Sequence, residues 1–303
     1  MSNDNHLVWN GELTTRLRLI RRGMYLAAPG MLWILLFLAL PSVLLIVVSM
    51  TTRGDYGQIE WVFSLDNFTR LMGYSSYGWS PDYLWILFRS VWVAFWTTLV
   101  CVLLAYPLCF HIANRAPEKR YFWLTLIIIP FWTNLVIRAY AWLLVLAPQL
   151  PFAKFAAVLG IIPEGSPLYP SSFAVYLGMV ATFLPFVAMP LYANVEKLDW
   201  ALVEAAKDLY AGRVRIFWHA IWPQTVPGLS VGITLTFIPA MGMFVVPDLL
   251  GGAKYMLVGN LIQQQFGTSR DWPFGAAVSL ALMVLTLVGL RVQRKHSGEG
   301  GAA

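Results

Sequence analysis

Long apolar stretches alternate with short charged stretches along the chain. A transmembrane helix needs about 20 predominantly apolar residues. Six stretches meet that requirement, and they are residues 24–50, 84–113, 121–147, 171–195, 224–250 and 273–291. The first is longer than the roughly 7–15-residue core of a signal peptide, so we expect it to be retained as a helix. The pattern predicts an all-α membrane protein with six transmembrane helices.

Lysine and arginine residues are distributed unevenly between the two sets of loops. With the N-terminus in the cytoplasm, the cytoplasmic segments hold fourteen of these residues and the opposite loops hold five. Because cytoplasmic loops are enriched in Lys and Arg, this bias predicts that both termini lie in the cytoplasm. The predicted organisation is a cytoplasmic tail at 1–23, a transmembrane domain at 24–291 and a cytoplasmic tail at 292–303. The loop 196–223, between helices four and five, is then cytoplasmic.

The composition agrees with lipid as the main solvent. Of the 303 residues, 58% are hydrophobic and 12% are charged, whereas soluble domains contain about 45–50% apolar and about 25% charged residues. The net charge of +6 comes from Lys and Arg residues that stand mostly beside apolar stretches. A nucleic-acid surface would gather them on one face, so membrane topology explains the charge and no nucleic-acid partner is expected.

Cysteine and histidine residues give no sign of a metal or redox site. Cys101 and Cys109 lie eight residues apart in one apolar stretch, which on a helix separates them by about 12 Å, too far for a disulfide. We therefore expect two small core residues. The four histidines are scattered without the spacing of metal ligands, so no metal site is expected.

A pair of glycines, Gly228 and Gly232, forms a GxxxG pattern in the fifth predicted helix. Glycines at this spacing allow another helix to approach closely within a membrane. The approaching helix belongs either to this chain or to another subunit, and the sequence leaves both alternatives open.

Acidic residues are confined to loops and helix ends. Ion-coupled carriers usually place ionisable groups within the membrane, so this distribution weighs against a proton- or sodium-driven mechanism. The chain also lacks the GxxxxGK[ST] pattern that cradles the phosphates of ATP. We therefore expect no enzymatic activity and no cofactor in this chain, and energy for active transport would have to come from another subunit.

The cytoplasmic loop 196–223 contains the densest mixture of charges. Its segment from Glu204 to Leu209 consists mostly of strong helix formers. Glu204 and Asp208 are four residues apart, so both carboxylates lie on one helix face.

The same loop offers a low-relief surface at Ala205 and Ala206, which a partner could approach closely. Residues 213–222 predict a second short helix with an apolar and aromatic side. The loop is either a docking segment for another subunit or a solvated connector.

The sequence Glu204-Ala205-Ala206, with Pro223 nineteen residues after the glutamate, resembles the EAA loop of bacterial ABC-importer permeases. In that family the loop folds as coupling helices that dock in a cleft of the ATPase subunit. Further stretches are similar to the spermidine/putrescine importer permeases, most of all to the first of their two permease subunits. They are YPLCFHIA (106–113), PFWTNLVIRAYAW (130–142), LPFVAMPLYANVEKLD (184–199), IPAMGMFVVPDLLGGAKYMLVGNLI (238–262) and RDWPFGAA (270–277).

The resemblance covers residues 85–303 and implies a type I ABC-importer permease in the bacterial inner membrane. The implied partners are a second homologous permease, two ATPase subunits that hold ATP and Mg²⁺, and a periplasmic binding protein. The implied function is the import of spermidine or putrescine by alternating access, coupled through residues 204–222. A permease for another small cationic or neutral solute is one alternative, and an ion-coupled secondary carrier is another from a different class.

One position departs from the family pattern. The family usually has glycine six residues after the glutamate, in the turn between the coupling helices, and this chain has Tyr210 there. If the turn requires a positive φ, glycine accepts it easily and tyrosine does not. We therefore expect Gly212 to form the turn, two residues later. The predicted coupling residues are Glu204, Ala205, Ala206, Asp208 and Gly212.

A path for a flexible polycation needs several weak binding sites. Aromatic faces attract ammonium groups by about 0.5–2 kcal/mol each. The candidates are Trp132 and Tyr140 in the third predicted helix, Asn134 as a polar contact and Asp248 near the outer end of the fifth. The aromatic residues could equally serve packing, and Asp248 could cap or pair at its helix end.

Two features of the outer half remain open. Arg138 lies within the third predicted helix, where a fixed cation would repel a polycation. We expect it to be a structural partner, a snorkelling group or part of an outer gate. The loop 51–83 either faces a binding protein or is a plain connector.

Overall fold

Four helices are individually long and apolar enough to cross a membrane, and two bent helix pairs raise the number of candidate spans to six. The structure, a computed structural model, describes residues 23–75, 78–160, 162–163, 165–252 and 255–298. The prediction of an all-α membrane protein with six spans is confirmed.

The elements of the described residues follow in chain order. The helices are α1 (Gly23–Ser49), α2 (Asp66–Leu71), α3 (Asp82–Ala113), α4 (Pro117–Trp132), α5 (Leu135–Val145), α6 (Pro151–Val158), α7 (Ser172–Val195), α8 (Trp200–Asp208), α9 (Arg213–Met241), α10 (Val245–Gly251), α11 (Val258–Phe266) and α12 (Trp272–Gly298). Two short antiparallel hairpins pair β1 (Thr52–Arg53) with β2 (Ile59–Glu60) and β3 (Tyr74–Ser75) with β4 (Gly78–Trp79). In the first hairpin Thr52 lies opposite Glu60.

The predicted tails are only partly covered by the described residues. Residues 1–22 of the predicted N-terminal tail lie outside them, and Gly23 already belongs to α1. At the other end, α12 continues past the predicted boundary at 291 and ends at Gly298. The cytoplasmic location of both termini stays a prediction.

Two predicted spans are broken helices. The predicted helix 121–147 consists of α4 and α5, which are bent by 99°, and the predicted helix 224–250 consists of α9 and α10, which are bent by 61°. At the first break, Thr133 and Asn134 have extended backbones, with ψ angles of 149° and 137°. The predicted bounds rest on apolar length, which does not reveal such a local change of backbone direction.

The centre of the bundle is α7, which packs against α3 and α9. Cys101 and Cys109 of α3 are buried against it and form no disulfide. Their sulfur atoms lie 3.7 Å and 3.3 Å from the carbonyl oxygens of Val180 and Ala188 in α7. The prediction of two small core cysteines is confirmed.

The glycine pair of α9 lies against α7. A Cβ atom on Gly228 would be 2.5 Å from the carbonyl oxygen of Pro190, and one on Gly232 would be 3.0 Å from the Cα atom of Val187. Neither position has room for a side chain. Of the two alternatives that the sequence leaves open, close packing within the chain is the one observed.

The first helix lies at the edge of the bundle. Its own contacts are made mainly with α12, and its most apolar window is 0% buried. This surface is therefore available to lipid or to another subunit.

The segment between α1 and α3 is anchored to the start of α12. Arg70 Nη1 of α2 donates to Asp271 Oδ2 at 2.7 Å, and the guanidinium carbon lies 4.1 Å from the ring centroid of Phe274. Burial alone lowers the pKa of Arg70, but hydrogen bonds to Asp271 and Tyr83 outweigh it and raise that pKa. The guanidinium stays charged, so the predicted loop is held against the bundle by an ion pair.

Replacing Arg70 with Ala should lower the stability of the protein because Asp271, with its side chain 4% exposed, loses its partner. We expect a loss of about 2–4 kcal/mol, somewhat less than for a fully buried pair because the Arg70 side chain is 40% exposed. Thermal unfolding in detergent measures the change. The double variant Arg70→Ala/Asp271→Ala should lose less than the sum of the single variants, and strictly additive losses would contradict this coupling.

Candidate coupling loop and substrate path

The helix α8 begins with a side-chain cap. Asp199 Oδ1 accepts a hydrogen bond from the Ala201 N–H at 3.0 Å, which satisfies one free N–H of the first turn. The Asp199 N–H in turn donates to Gln224 Oε1 at 3.0 Å, and Gln224 Nε2 donates to the Ala220 carbonyl at 2.7 Å. Gln224 therefore ties the start of α8 to α9.

A small apolar cluster holds α8 against the first turns of α9. It consists of the buried residues Val203, Ile216 and Ala220, with Ala206 and Ala211 packed at its edge. Because these side chains are small or branched, the two helices lie close together with their polar faces outward.

The predicted coupling residues divide between two sides of α8. Ala206 packs on the apolar cluster, whereas Glu204, Ala205 and Asp208 are exposed. The two carboxylates and one alanine are therefore accessible to a partner, while the second alanine is used within the chain.

The turn after α8 is made by Tyr210. Its φ angle is 57°, in the left-handed region, whereas Gly212 has a φ of −66° and a ψ of 158°. The Tyr210 N–H donates to the Lys207 carbonyl at 2.8 Å and the Ala211 N–H donates to the Ala206 carbonyl at 3.0 Å. These two bonds form a Schellman motif, which satisfies the last carbonyls of a helix.

The expectation that Gly212 forms this turn is wrong. The Schellman motif needs a left-handed residue directly after the C-cap, which is Leu209. That residue is Tyr210, in a conformation that costs a residue with a Cβ roughly 1–2 kcal/mol. Gly212 precedes α9 in an extended conformation that any residue adopts, so the break keeps the position at which the family usually has glycine.

The turn and the start of α9 expose three apolar side chains, which we call the apolar tip. They are Leu209, Tyr210 and Val214, with exposed fractions of 82%, 97% and 73%. Contiguous apolar surface rimmed by charged residues is typical of a protein–protein contact. The apolar tip therefore favours a docking segment over a solvated connector.

The second predicted short helix, residues 213–222, is the beginning of α9. This helix runs without a break from Arg213 to Met241. A π-helical turn at Phe217–Ile221 precedes Pro223, where the proline cannot donate a backbone hydrogen bond. The expectation of a separate element is wrong because this wider turn lets the helix continue through the proline, and the coupling loop is thereby joined directly to a membrane span.

The predicted substrate-path residues are not brought together in one cavity. Trp132 lines a cavity of about 310 Å³ together with Phe186 of α7 and Leu235 of α9. Asp248 lines a different cavity of about 220 Å³. Tyr140 of α5 is 53% exposed, which leaves its ring accessible on the surface of the chain.

Asn134 has a defined role at the bend between α4 and α5. Its side-chain oxygen accepts a hydrogen bond from the Val136 N–H at 2.8 Å and so caps α5. This bond gives Asn134 a structural role at the start of α5, where it helps to shape the bend.

Arg138 stabilises the same bend through a hydrogen bond to the end of α4. Its Nη1 donates to the Pro130 carbonyl at 2.8 Å, and Thr133 Oγ1 donates to the same oxygen at 2.6 Å. Carbonyls in the last turn of a helix lack helical partners, and within a membrane they need another donor. Of the alternatives for Arg138, a structural contact is the one observed, and its acceptor is a backbone carbonyl.

Two structural residues of the coupling loop escape sequence reasoning. Asp199 carries a recognisable signal, since an aspartate directly before a helix-forming run is a typical N-cap. Gln224 carries only the weak signal of a polar residue at the start of an apolar stretch. Its partner Asp199 is 25 residues away, and only folding brings the two together.

Relatives of known identity align with most of this sequence. The spermidine/putrescine transport system permease protein PotB of Escherichia coli (strain K12) is 42% identical over 253 residues, which cover 84% of this chain and 90% of that protein. The chain is a PotB-family permease. PotB of Haemophilus influenzae is 38% identical over 253 residues, with 84% and 86% coverage.

A more distant relative of this PotB-family permease is the inner membrane ABC transporter permease protein YdcU of Escherichia coli (strain K12). It is 29% identical over 212 residues, which cover 66% of this chain and 67% of YdcU. No family model matches the chain.

Solved structures share the fold of this PotB-family permease. The crystal structure of a bacterial alginate ABC transporter in complex with an alginate pentasaccharide-bound periplasmic protein contains a chain that aligns with a TM-score of 0.69 at 17% identity, covering 92% of this chain and 96% of that one. The MetNI methionine ABC transporter aligns with a TM-score of 0.51 at 18% identity, over 73% and 99% of the two chains. These likenesses establish an ABC-importer permease fold.

Membership of the PotB family settles the class of the protein. The chain is a transport subunit of the inner membrane and not an enzyme. As an ABC-importer permease it acts with a partner permease, an ATPase and a substrate-binding protein. The alternative of an ion-coupled secondary carrier is therefore wrong.

The assignment of the turn predicts opposite effects for two changes at one position. Tyr210→Gly should raise the stability by up to roughly 1 kcal/mol, because glycine has no Cβ penalty in the left-handed region. Tyr210→Val should lower stability and ATPase stimulation, because a branched residue is unfavourable at positive φ. Thermal unfolding and the ATPase rate of the reassembled transporter measure these effects.

Gly212→Ala is the matched control for the turn. It should be neutral, because its backbone is extended and no atom lies within 4 Å of an added Cβ. If Gly212→Ala impaired ATPase stimulation as much as Tyr210→Val did, the left-handed turn at Tyr210 would be the wrong assignment.

Arg138→Leu should destabilise the protein by about 1–3 kcal/mol, because the Pro130 carbonyl loses one donor at a bend inside the membrane. Arg138→Lys should lose less, since an ammonium group can also donate to the carbonyl. Thermal unfolding in detergent compares both with Arg53→Leu, which removes an exposed cation outside the bend. Equal midpoints for Arg138→Leu and Arg53→Leu would argue against a bend-fastening role.

Proposed function

We propose that this chain is the permease subunit through which spermidine and putrescine cross the inner membrane in an ATP-driven importer. The observation that carries the proposal is the 42% identity to PotB over 84% of the chain. A permease for another small cationic or neutral solute is the alternative, because selectivity in such importers can reside in the binding protein.

In this proposal, energy enters through α8 and the apolar tip. ATP and Mg²⁺ are held by the ATPase subunits, whose closure displaces the docked loop. The apolar cluster and Gln224 fix α8 to α9, and α9 is continuous into the membrane. A displacement at the loop therefore moves the span as a unit, and the path opens alternately to the outside and to the cytoplasm.

The proposed assembly contains a second homologous permease, two ATPase subunits and a periplasmic binding protein. The unburied apolar surface of α1 supports a partner within the membrane. The apolar tip supports a partner in the cytoplasm, since its three side chains are exposed.

The proposed path uses the exposed aromatic side chains near the bend between α4 and α5. Trp132 is 86% exposed and Tyr140 is 53% exposed, so both rings can attract a passing ammonium group. Each contact contributes about 0.5–2 kcal/mol, which is weak enough to release the cargo. Their separation from Asp248 indicates a sequence of sites rather than one binding chamber.

The proposed function is tested by uptake of labelled spermidine and putrescine into proteoliposomes that contain the full assembly. We expect uptake only when ATP is present on the side of the membrane that the ATPase faces and the binding protein is present on the opposite side. Uptake without ATP would reject the importer, and ATP-dependent uptake of neither amine would reject the cargo.

A charge-reversal variant tests the coupling part of the same assay. Glu204→Lys should reduce co-purification of the ATPase and ATP-dependent uptake about tenfold, because it reverses an exposed charge next to the apolar tip. Asp55→Lys, an equal charge reversal in the segment between α1 and α3, is the control and should leave co-purification of the ATPase unchanged. Normal co-purification of Glu204→Lys would contradict docking through α8.

A further inference from the structure

A polar cavity lies between α10 and α11, away from the aromatic residues of the proposed path. Its volume is about 220 Å³. The described residues that contribute most of its polar lining are Asp248, Tyr255, Asn260, Gln263, Gln264 and Thr268. Such a concentration of polar side chains is unusual in this apolar chain, and neither the coupling loop nor the bend accounts for it.

The charge of the cavity lining suits a ligand with a single positive charge. Asp248 is exposed to the cavity and has no ion-pair or side-chain hydrogen-bond partner among the described residues. Gln263 and Gln264 add amide oxygens, and Thr268 adds a hydroxyl. None of the lining residues within the described part of the chain is cationic, and Asp248 is the one carboxylate among them.

The oxygen atoms that line the cavity do not suit a divalent metal ion. Calcium takes roughly six to eight oxygen ligands and usually several carboxylates. Within the described residues, no group of three His, Cys, Asp or Glu side chains could hold a metal ion. An alkylammonium group, with its hydrogen atoms donated to one carboxylate and neutral oxygens, matches the lining better.

The walls of the cavity are held by buried contacts. Asn260 Nδ2 donates to the Phe244 carbonyl at 2.9 Å, and its oxygen accepts from the Leu257 N–H at 3.3 Å. A Cβ atom on Gly259 would lie 2.3 Å from the carbonyl oxygen of Gly242, so α11 packs directly on the chain before α10. These contacts fix Asp248 relative to the α11 side chains.

A second set of contacts joins this frame to α3. The Val258 N–H donates to Ser90 Oγ at 2.8 Å, and Arg89 Nε donates to the Met256 carbonyl at 3.2 Å. The Arg89 guanidinium also lies 5.0 Å from the ring centroid of Tyr255. Arg89 is thus held by a carbonyl and an aromatic face, and it supports the wall of the cavity without forming an ion pair with Asp248.

We propose that this cavity is a binding site for the primary ammonium end of an aliphatic amine, with Asp248 as its counter-ion and Gln263, Gln264 and Thr268 as neutral acceptors. In the importer this site receives one end of the polyamine, an assignment that rests on the proposed function. Binding of an alkylammonium ion as such depends only on the cavity.

Binding is tested first in the full assembly in nanodiscs, without binding protein. Thermal unfolding is followed as putrescine is added, with uncharged 1,4-butanediol as the comparison ligand. We expect a saturable rise of the midpoint with putrescine alone. Asp248→Asn should raise the apparent Kd about tenfold, the effect of losing one charge-assisted contact, whereas Asp248→Glu should stay near the wild type.

The matched control is Asp82→Asn. Asp82 is an exposed aspartate in the first turn of α3, as Asp248 is in the first turn of α10. This variant should bind putrescine like the wild type. An unchanged Kd in Asp248→Asn, or an equal response of the wild type to the diol, would overturn the proposed site.

Uptake by the same variants separates this site from the proposed function. We expect Asp248→Asn to slow ATP-dependent uptake of putrescine while ATPase stimulation by the binding protein persists. If the wild type takes up putrescine and Asp248→Asn keeps the same uptake and the same putrescine binding, the site is overturned and the function stands. Asp248-dependent binding without any polyamine uptake by the wild type would overturn the function and leave the site standing.

Discussion

Backbone N–H and C=O groups inside a membrane must find hydrogen-bond partners within the protein. In a continuous helix these groups form hydrogen bonds with one another, whereas at a break in a helix some of them lose their helical partners. At the first break, Arg138 and Thr133 both donate to the Pro130 carbonyl. At the second, the Asn260 side chain donates to the Phe244 carbonyl. Polar side chains therefore support both places where the backbone changes direction, and a cavity lies beside each of them.

The continuous and broken helices serve different tasks. The helix α9 crosses Pro223 through a π-helical turn and so remains continuous from the coupling loop into the membrane. The bent pair α4 and α5 instead exposes Trp132 beside a cavity at its bend. A rigid connection suits the transmission of motion, whereas a bend creates concave surface that a cargo can occupy.

The coupling loop shows how far a local motif predicts geometry. The helix formers around Glu204 and the resemblance to the EAA loop predicted α8 and its function in this family. The turn was assigned to Gly212 because glycine is the residue best suited to a positive φ. The hydrogen bonds that end α8 select the position instead, and Tyr210 occupies it. Because α8 ends with its C-cap at Leu209, the left-handed position falls on the next residue whatever its type.

The membrane class, the candidate spans, the location of the coupling loop and, through resemblance, the family follow from the amino-acid sequence. These properties depend on residues that are neighbours in the chain, so they can be predicted without knowing which distant residues meet. The packing of Gly228 and Gly232 on α7, the contact of Arg138 at the bend, and the cavity that Asp248 shares with residues of α11 emerge only in the folded chain. Each of these depends on which residues distant in the chain meet, and that is set by packing between helices rather than by local preference.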